Sequence, residues 1–371
     1  MKRKEFPLLD LWRFFAAALV VLGHLRTWQF FPYTETQCDS SLVKYVFFQF
    51  TRIPFEAVML FFVLSGFLVG GMSLERYLHG KFEFKKYIID RISRIYTPFV
   101  PALVFTLGIC LWTGMPFSWI EAMLNLLSLQ GVFAEPLSVN MTLWSLSYEI
   151  WFYILCGSVL TVFGPYSSPM WRLSLILLAV SIFIFSKLDF AFLCAWLLGL
   201  AAYFIKTPRI GLLLAAGSII TAIGMVLMQL TSISHQVDLA QFNFINRSIA
   251  VITLSAGCAL LIAGSAQQRE RPPRLRWLLR VAPVLSSFSY SVYLMHIPVI
   301  YLLNEWGMLP RYDRVAFTTV GGFLANATII MAVSYGAYWL FERQTPRVRQ
   351  FLYKKLLTPK PVPVPASPVE A

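Results

Sequence analysis

The chain has 371 residues, of which 58% are hydrophobic, 16% aromatic and only 13% charged, where a soluble domain carries about 25% charged residues. The mean hydropathy is +0.66, and the apolar residues come in long runs rather than strict alternation, which excludes a soluble enzyme, a disordered chain, a disulfide-rich secreted module and a β-barrel. The net charge of +13 would suggest nucleic acid in a soluble protein; here it fits the Lys/Arg-rich cytoplasmic loops of a membrane protein, and no nucleic-acid partner is expected.

The predicted fold is all-α and polytopic, with about ten transmembrane helices. In chain order the predicted spans cover about 8–25, 54–72, 95–113, 140–163, 171–186, 189–205, 210–230, 247–265, 282–303 and 316–341. The interrupted apolar stretch 117–133 reads as an interfacial or re-entrant segment, with an eleventh span as the alternative. With the N-terminus cytoplasmic, about three-quarters of the Lys and Arg residues fall inside. That bias supports ten spans with both termini cytoplasmic. An eleventh span would move the basic cluster of loop 266–281 outside. Residues 1–345 are expected to form one membrane domain, and 346–371 a cytoplasmic, Pro-rich, disordered tail. The N-terminal run contains Asp10 and Arg13 and lacks a small-residue cleavage site, so it is not expected to be a signal peptide. Four of the five Cys lie in apolar runs and behave as small hydrophobes.

Ionisable residues inside spans are costly and mark function by default. The first span holds Asp10, Arg13 and His24. Eleven helical residues bring Arg13 and His24 to within about 20° of one face, roughly 16 Å apart along the axis. Asp10 sits one turn below Arg13, close enough to pair with it. The bland reading is that all three snorkel to the interfaces. The functional reading is an elongated ligand along this face, with an anionic end at Arg13 and a reactive end at His24. Acyl-coenzyme A has that shape.

Arg91 and Arg94 are one turn apart and suit a phosphate clamp; the alternative is a basic loop that only fixes orientation. His24 is the candidate general base, because imidazole titrates near neutrality. Glu149 sits mid-span on a stripe with Thr142 and Ser145. Its expected partner is His24 or an arginine, and its alternative role is a helix-packing hydrogen bond. In the ninth span Ser286, Ser289, Tyr293 and His296 line one face above Pro298, which removes the donor to the Leu294 carbonyl. On that face His296 could bind the acceptor or support the reaction, with a packing histidine as the alternative. Ser65 and Gly66 read as a helix contact. No metal site is expected, since the four His are dispersed; His79 and His235 are assigned no role.

Taken in order, several segments resemble the acyltransferase 3 family of membrane acyltransferases. Leu9–His24 resembles its opening, with Arg13 and His24 in its Arg-x10-His pattern. Ser65-Gly66-Phe67, Arg91-Ile-Ser-Arg94, Trp144-Ser-Leu-Ser-Tyr-Glu149 and Tyr293-Leu-Met-His296-Ile-Pro298 resemble its later segments. Members often have Arg-Ile-x-Pro after the arginine pair; here Arg94-Ile-Tyr-Thr-Pro98 carries one extra residue. Some members carry a soluble esterase-like domain, which this chain is not expected to have.

The resemblance implies an acyl-coenzyme A-dependent O-acetyltransferase acting on a surface glycan, in a bacterial inner membrane. Acetyl-coenzyme A would be the acyl donor, held by Arg13, Arg91 and Arg94. His24 and Glu149 would be catalytic, and Ser289, Tyr293 and His296 would bind the acceptor, a lipid-linked or exported sugar. The oligomeric state is unassigned. The alternative function is a transporter or flippase of an anionic or lipid-linked substrate.

Overall fold

A computed structural model describes residues 6–164, 170–231, 246–268 and 276–357. Fifteen α-helices run through them: α1 (Pro7–Gln29), α2 (Ser41–Thr51), α3 (Pro54–Ser65), α4 (Met72–Leu78), α5 (Phe84–Thr113), α6 (Trp119–Leu126), α7 (Trp144–Val162), α8 (Trp171–Phe185), α9 (Phe190–Ala202), α10 (Ile210–Thr231), α11 (Arg247–Gln267), α12 (Arg276–Ser287), α13 (Ser289–Glu305), α14 (Phe317–Leu340) and α15 (Thr345–Leu357). A π-helical turn (Gly66–Gly71) joins α3 to α4, and a 3₁₀ segment (Ser138–Leu143) leads into α7. The chain is an all-α polytopic membrane protein.

Each expected span has a helix beneath it, but their lengths differ. Seven helices are long and apolar enough to cross a membrane, and α12 with α13, bent by 58° at Phe288, makes an eighth. Helices α8 and α9 are apolar but shorter, at 15 and 13 residues, so each falls short of a hydrocarbon core about 30 Å thick. The eight residues of α6, roughly 12 Å long, cannot span, so residues 117–133 form no eleventh crossing. Three features depart from the expected layout. Residues 41–51 form α2, capped where Ser40 Oγ accepts from Val43 N. The ninth span breaks at Phe288. Residues 346–357, placed in the tail, belong to α15 (Thr345–Leu357), which docks on α5, where Tyr353 donates to Asp90 at 2.9 Å and Arg349 lies 3.5 Å from the same carboxylate. The Pro-rich run from 358, the 269–275 part of the basic loop, His235 and the first five residues lie outside the described residues.

Helix α1 begins on Pro7, whose missing N–H costs nothing at a first-turn position. It is the central element, packed against α3, α12, α13 and α14. Small residues permit the closest crossings. A Cβ on Gly66 would meet the Trp196 carbonyl oxygen at 1.9 Å, and one on Gly199 would meet that of Val63 at 2.0 Å. The π-turn and α9 therefore touch backbone to backbone, as packing in lipid favours. That contact matches the packing role expected of Gly66.

The candidate active site

Arg13 and His24 share α1, which runs unbroken from Pro7 to Gln29. Their rise of roughly 16 Å therefore holds. Arg13 pairs with Asp10, Nη1 to Oδ1 at 3.6 Å. Arg94, from α5, lies within electrostatic range of Arg13, as do Glu149 and Tyr153 from α7. Arg94 is exposed. Arg91 stacks between two rings, its Cζ 5.7 Å from the centroids of both Tyr87 and Tyr153, and its buried Nε has no partner among the described residues. Arg94 thus lies near Arg13, and Arg91 is linked to the same region through Tyr153, which is close to both. Aromatic stacking leaves a guanidinium's edges free to donate, which suits planar recognition of an anion.

Among the described residues Glu149 makes no hydrogen bond or ion pair with His24 or an arginine. Its Oε1 accepts from Tyr153, one turn along α7, at 2.5 Å. Ser65 Oγ donates to the Tyr153 hydroxyl at 3.1 Å, and Trp196 Nε1 donates to Ser65 Oγ at 3.3 Å. This relay ties the carboxylate to the end of α3 and to α9. Sequence spacing placed Glu149 correctly on its helix, but an i,i+4 tyrosine is its nearest partner.

Farther along α1 lies a histidine pair. His24 Nδ1 lies 2.9 Å from the Val20 carbonyl and 3.3 Å from His296 Nε2. The ring centroids are 5.2 Å apart. His296 is fully buried, and its Nδ1 lies 2.7 Å from the Tyr293 carbonyl and 3.1 Å from that of Val292. Carbonyls only accept, so both Nδ1 atoms carry the hydrogen. Each neutral ring then has its lone pair on Nε2. That of His296 faces His24; that of His24 has no hydrogen bond among the described residues and is the basic atom of the pair.

The other α13 candidates are committed to the scaffold. The Tyr293 hydroxyl lies 2.6 Å from Ser145 Oγ and donates to the Thr142 carbonyl at 3.0 Å, locking α13 to the start of α7. Ser289 donates to the Ser286 carbonyl at 2.8 Å across the bend, and so does not face the histidines. Pro298 leaves the Leu294 carbonyl without its helical donor, and Asn140 Nδ2 supplies one from the 3₁₀ segment at 3.1 Å.

Asn140 escaped the sequence reading, as did Glu342. The Glu342 carboxylate accepts from Ser291 N at 3.0 Å and Ser291 Oγ at 2.6 Å. It thereby caps the start of α13, where a negative charge is favoured. Its signal was available: it is the lone acid between Asp313 and Glu370. Among the described residues no group of three or more His, Cys, Asp or Glu could hold a metal ion.

Arg13 and an oriented histidine lie along one helix, with Arg94 close to Arg13 from α5, in a bundle of apolar helices. A family model described as an acyltransferase domain matches residues 6–341. No curated protein and no solved structure matches the chain. The family match spans nearly the whole membrane bundle and includes Arg13, His24, Arg91, Arg94, Glu149 and His296, so the chain belongs to the acyltransferase 3 family of membrane acyltransferases.

Proposed function

We propose that the protein transfers an acyl group, most simply acetyl, from acyl-coenzyme A to a hydroxyl of a lipid-linked or exported sugar. The observation that carries this reading is the geometry of α1: an arginine cluster at one end and a basic imidazole nitrogen roughly 16 Å away on the same face. Arg13, Arg91 and Arg94 hold the donor's phosphates by charge-assisted bonds. In this reading the arginines face the cytoplasm, where the donor is made, because the basic loops favour that side, and the membrane is a bacterial inner membrane. Ser289, Tyr293 and His296 stood as acceptor contacts on spacing; their hydrogen bonds favour Tyr293 and Ser289 as scaffold and leave the open side of His24 to the acceptor.

His24 Nε2 takes the proton from the acceptor hydroxyl as that oxygen bonds to the acyl carbon. It returns the proton to the sulfur as the carbon–sulfur bond breaks. Proton, acyl group and thiol are then accounted for, with no outside oxidant or reductant. Glu149 lies within electrostatic range of the arginine cluster and tempers its charge; no contact supports a direct role at His24. A transporter has no need of a base at this distance from a phosphate clamp.

The test is to supply radiolabelled acetyl-coenzyme A to membranes carrying the protein and to follow free coenzyme A and label in extracted glycan. Protein-dependent release of coenzyme A with label in glycan supports the reading. No coenzyme A consumption with any glycan-replete membrane contradicts it.

A further inference from the structure

We infer that His296 is a positioning residue: its Nε2 accepts from His24 Nδ1–H and thereby holds His24 in the tautomer whose Nε2 is free to act as base. The inference rests on the reading of His24 as the base and names what sets that base.

Two carbonyls claim the hydrogen on His296 Nδ1, at 2.7 and 3.1 Å. His296 Nε2 must therefore present a lone pair to its neighbour. His24 Nδ1–H faces two acceptors, the Val20 carbonyl at 2.9 Å and His296 Nε2 at 3.3 Å. In the opposite tautomer, the Nδ1 lone pair would point at both acceptors with no hydrogen between. His296 is fully buried, so water cannot replace the missing bonds. When His24 Nε2 takes a proton, the same two acceptors face the cation and stabilise it as fixed dipoles.

The position of His296 is itself over-determined. One turn before it, Tyr293 is pinned by Ser145 and the Thr142 carbonyl. Pro298, two residues after it, frees the Leu294 carbonyl, which Asn140 Nδ2 holds at 3.1 Å. Asn140 in turn accepts from Thr142 Oγ1 at 2.8 Å. The orienting group commonly supplied by a carboxylate is here a neutral imidazole, because Glu149 is engaged by Tyr153.

The test uses the full-length protein in lipid nanodiscs, with His296→Leu and His296→Gln. Leucine fills the volume without accepting a hydrogen bond; glutamine offers an acceptor oxygen. His296→Leu is expected to lower kcat about 100-fold, within the range of general-base effects, with KM for acetyl-coenzyme A changed less than about twofold. His296→Gln is expected to recover at least about tenfold of that loss. The four histidines make ¹⁵N-histidine labelling tractable, with His24 assigned by loss of its signals in His24→Ala. Wild type is expected to show His24 protonated at Nδ1 only, and His296→Leu to populate the Nε2–H form. An Nε2-protonated His24 in wild type, or an unchanged spectrum and kcat in His296→Leu, would overturn the inference. Full activity in His24→Ala would instead remove the base reading, while the spectra still report whether His296 sets the tautomer.

Discussion

At the scale of single residues, the site divides into groups that bind charge and groups that move a proton. Arg94 is the exposed member of the arginine cluster, so its loss should weaken donor binding with little effect on the chemical step. A hydrogen bond to a charged group contributes about 1.5–3 kcal/mol, so Arg94→Ala is expected to raise KM for acetyl-coenzyme A by roughly 10- to 100-fold with kcat largely kept. Steady-state kinetics on the two substrates would check this, and an unchanged KM would count against the clamp. The pairing of Arg13 with Asp10 and its register with His24 were legible in the sequence, because all three lie on one helix and helical periodicity is fixed. The partner of His24 was not. His296 lies 272 residues away, and periodicity on α13 could assign it a face but not a neighbour. Glu149 shows the opposite error: a distant partner was expected, and the closest acceptable donor was Tyr153 on its own helix.

At the scale of elements, the proline and glycine positions decide how the site is held. Pro298 was legible as a helix disruption, down to the carbonyl it frees, but the compensating Asn140 was not, because nothing local marks a side chain that caps another helix. Leaving the Leu294 carbonyl unpartnered should cost on the order of 1–3 kcal/mol. Asn140→Ala is therefore expected to lower the thermal midpoint by several degrees. Adding Pro298→Ala restores a backbone donor to Leu294 and is expected to recover part of the loss. A double-mutant cycle measures that coupling directly; strictly additive effects would mean that Asn140 does not serve the proline. The α9 crossing permits a sharper prediction. Any Cβ at Gly199 must meet the Val63 carbonyl oxygen at 2.0 Å, a backbone atom that cannot rotate away. Gly199→Val should therefore leave little folded protein in the membrane, whereas Gly336→Ala, with open space around its Cα, should not. Immunoblotting of detergent-extracted, monodisperse protein distinguishes the two.

At the scale of the whole molecule, composition sufficed for the fold class, and the charge asymmetry predicts an orientation. Span lengths were less legible. Apolar runs mark where a helix lies, but not that α8 and α9 are too short to cross alone or that the ninth span breaks at Phe288 by 58°. Just after that break the Glu342 carboxylate accepts from Ser291, which lies far from it in sequence. Helix α15 was missed because its polar, basic composition reads as tail; its order comes from docking on Asp90 of α5. The orientation has its own test. In a variant with the five native cysteines replaced, a single cysteine at Glu83 should react with a membrane-impermeant thiol reagent only from the cytoplasmic side. One at Asp39 should react only from the outside. The reverse pattern would put the arginine cluster on the wrong side for a cytoplasmic donor.

The central claim is that His24, oriented on α1 and distant from the arginine cluster, performs the proton transfer of an acyl transfer. The most direct measurement compares wild type and His24→Ala in nanodiscs, recording acetyl-coenzyme A binding and acetyl transfer on the same samples. The account predicts that His24→Ala binds the donor with an affinity within a few-fold of wild type and transfers acetyl at least about 100-fold more slowly. Donor bound normally and acetyl transferred at the wild-type rate would contradict it.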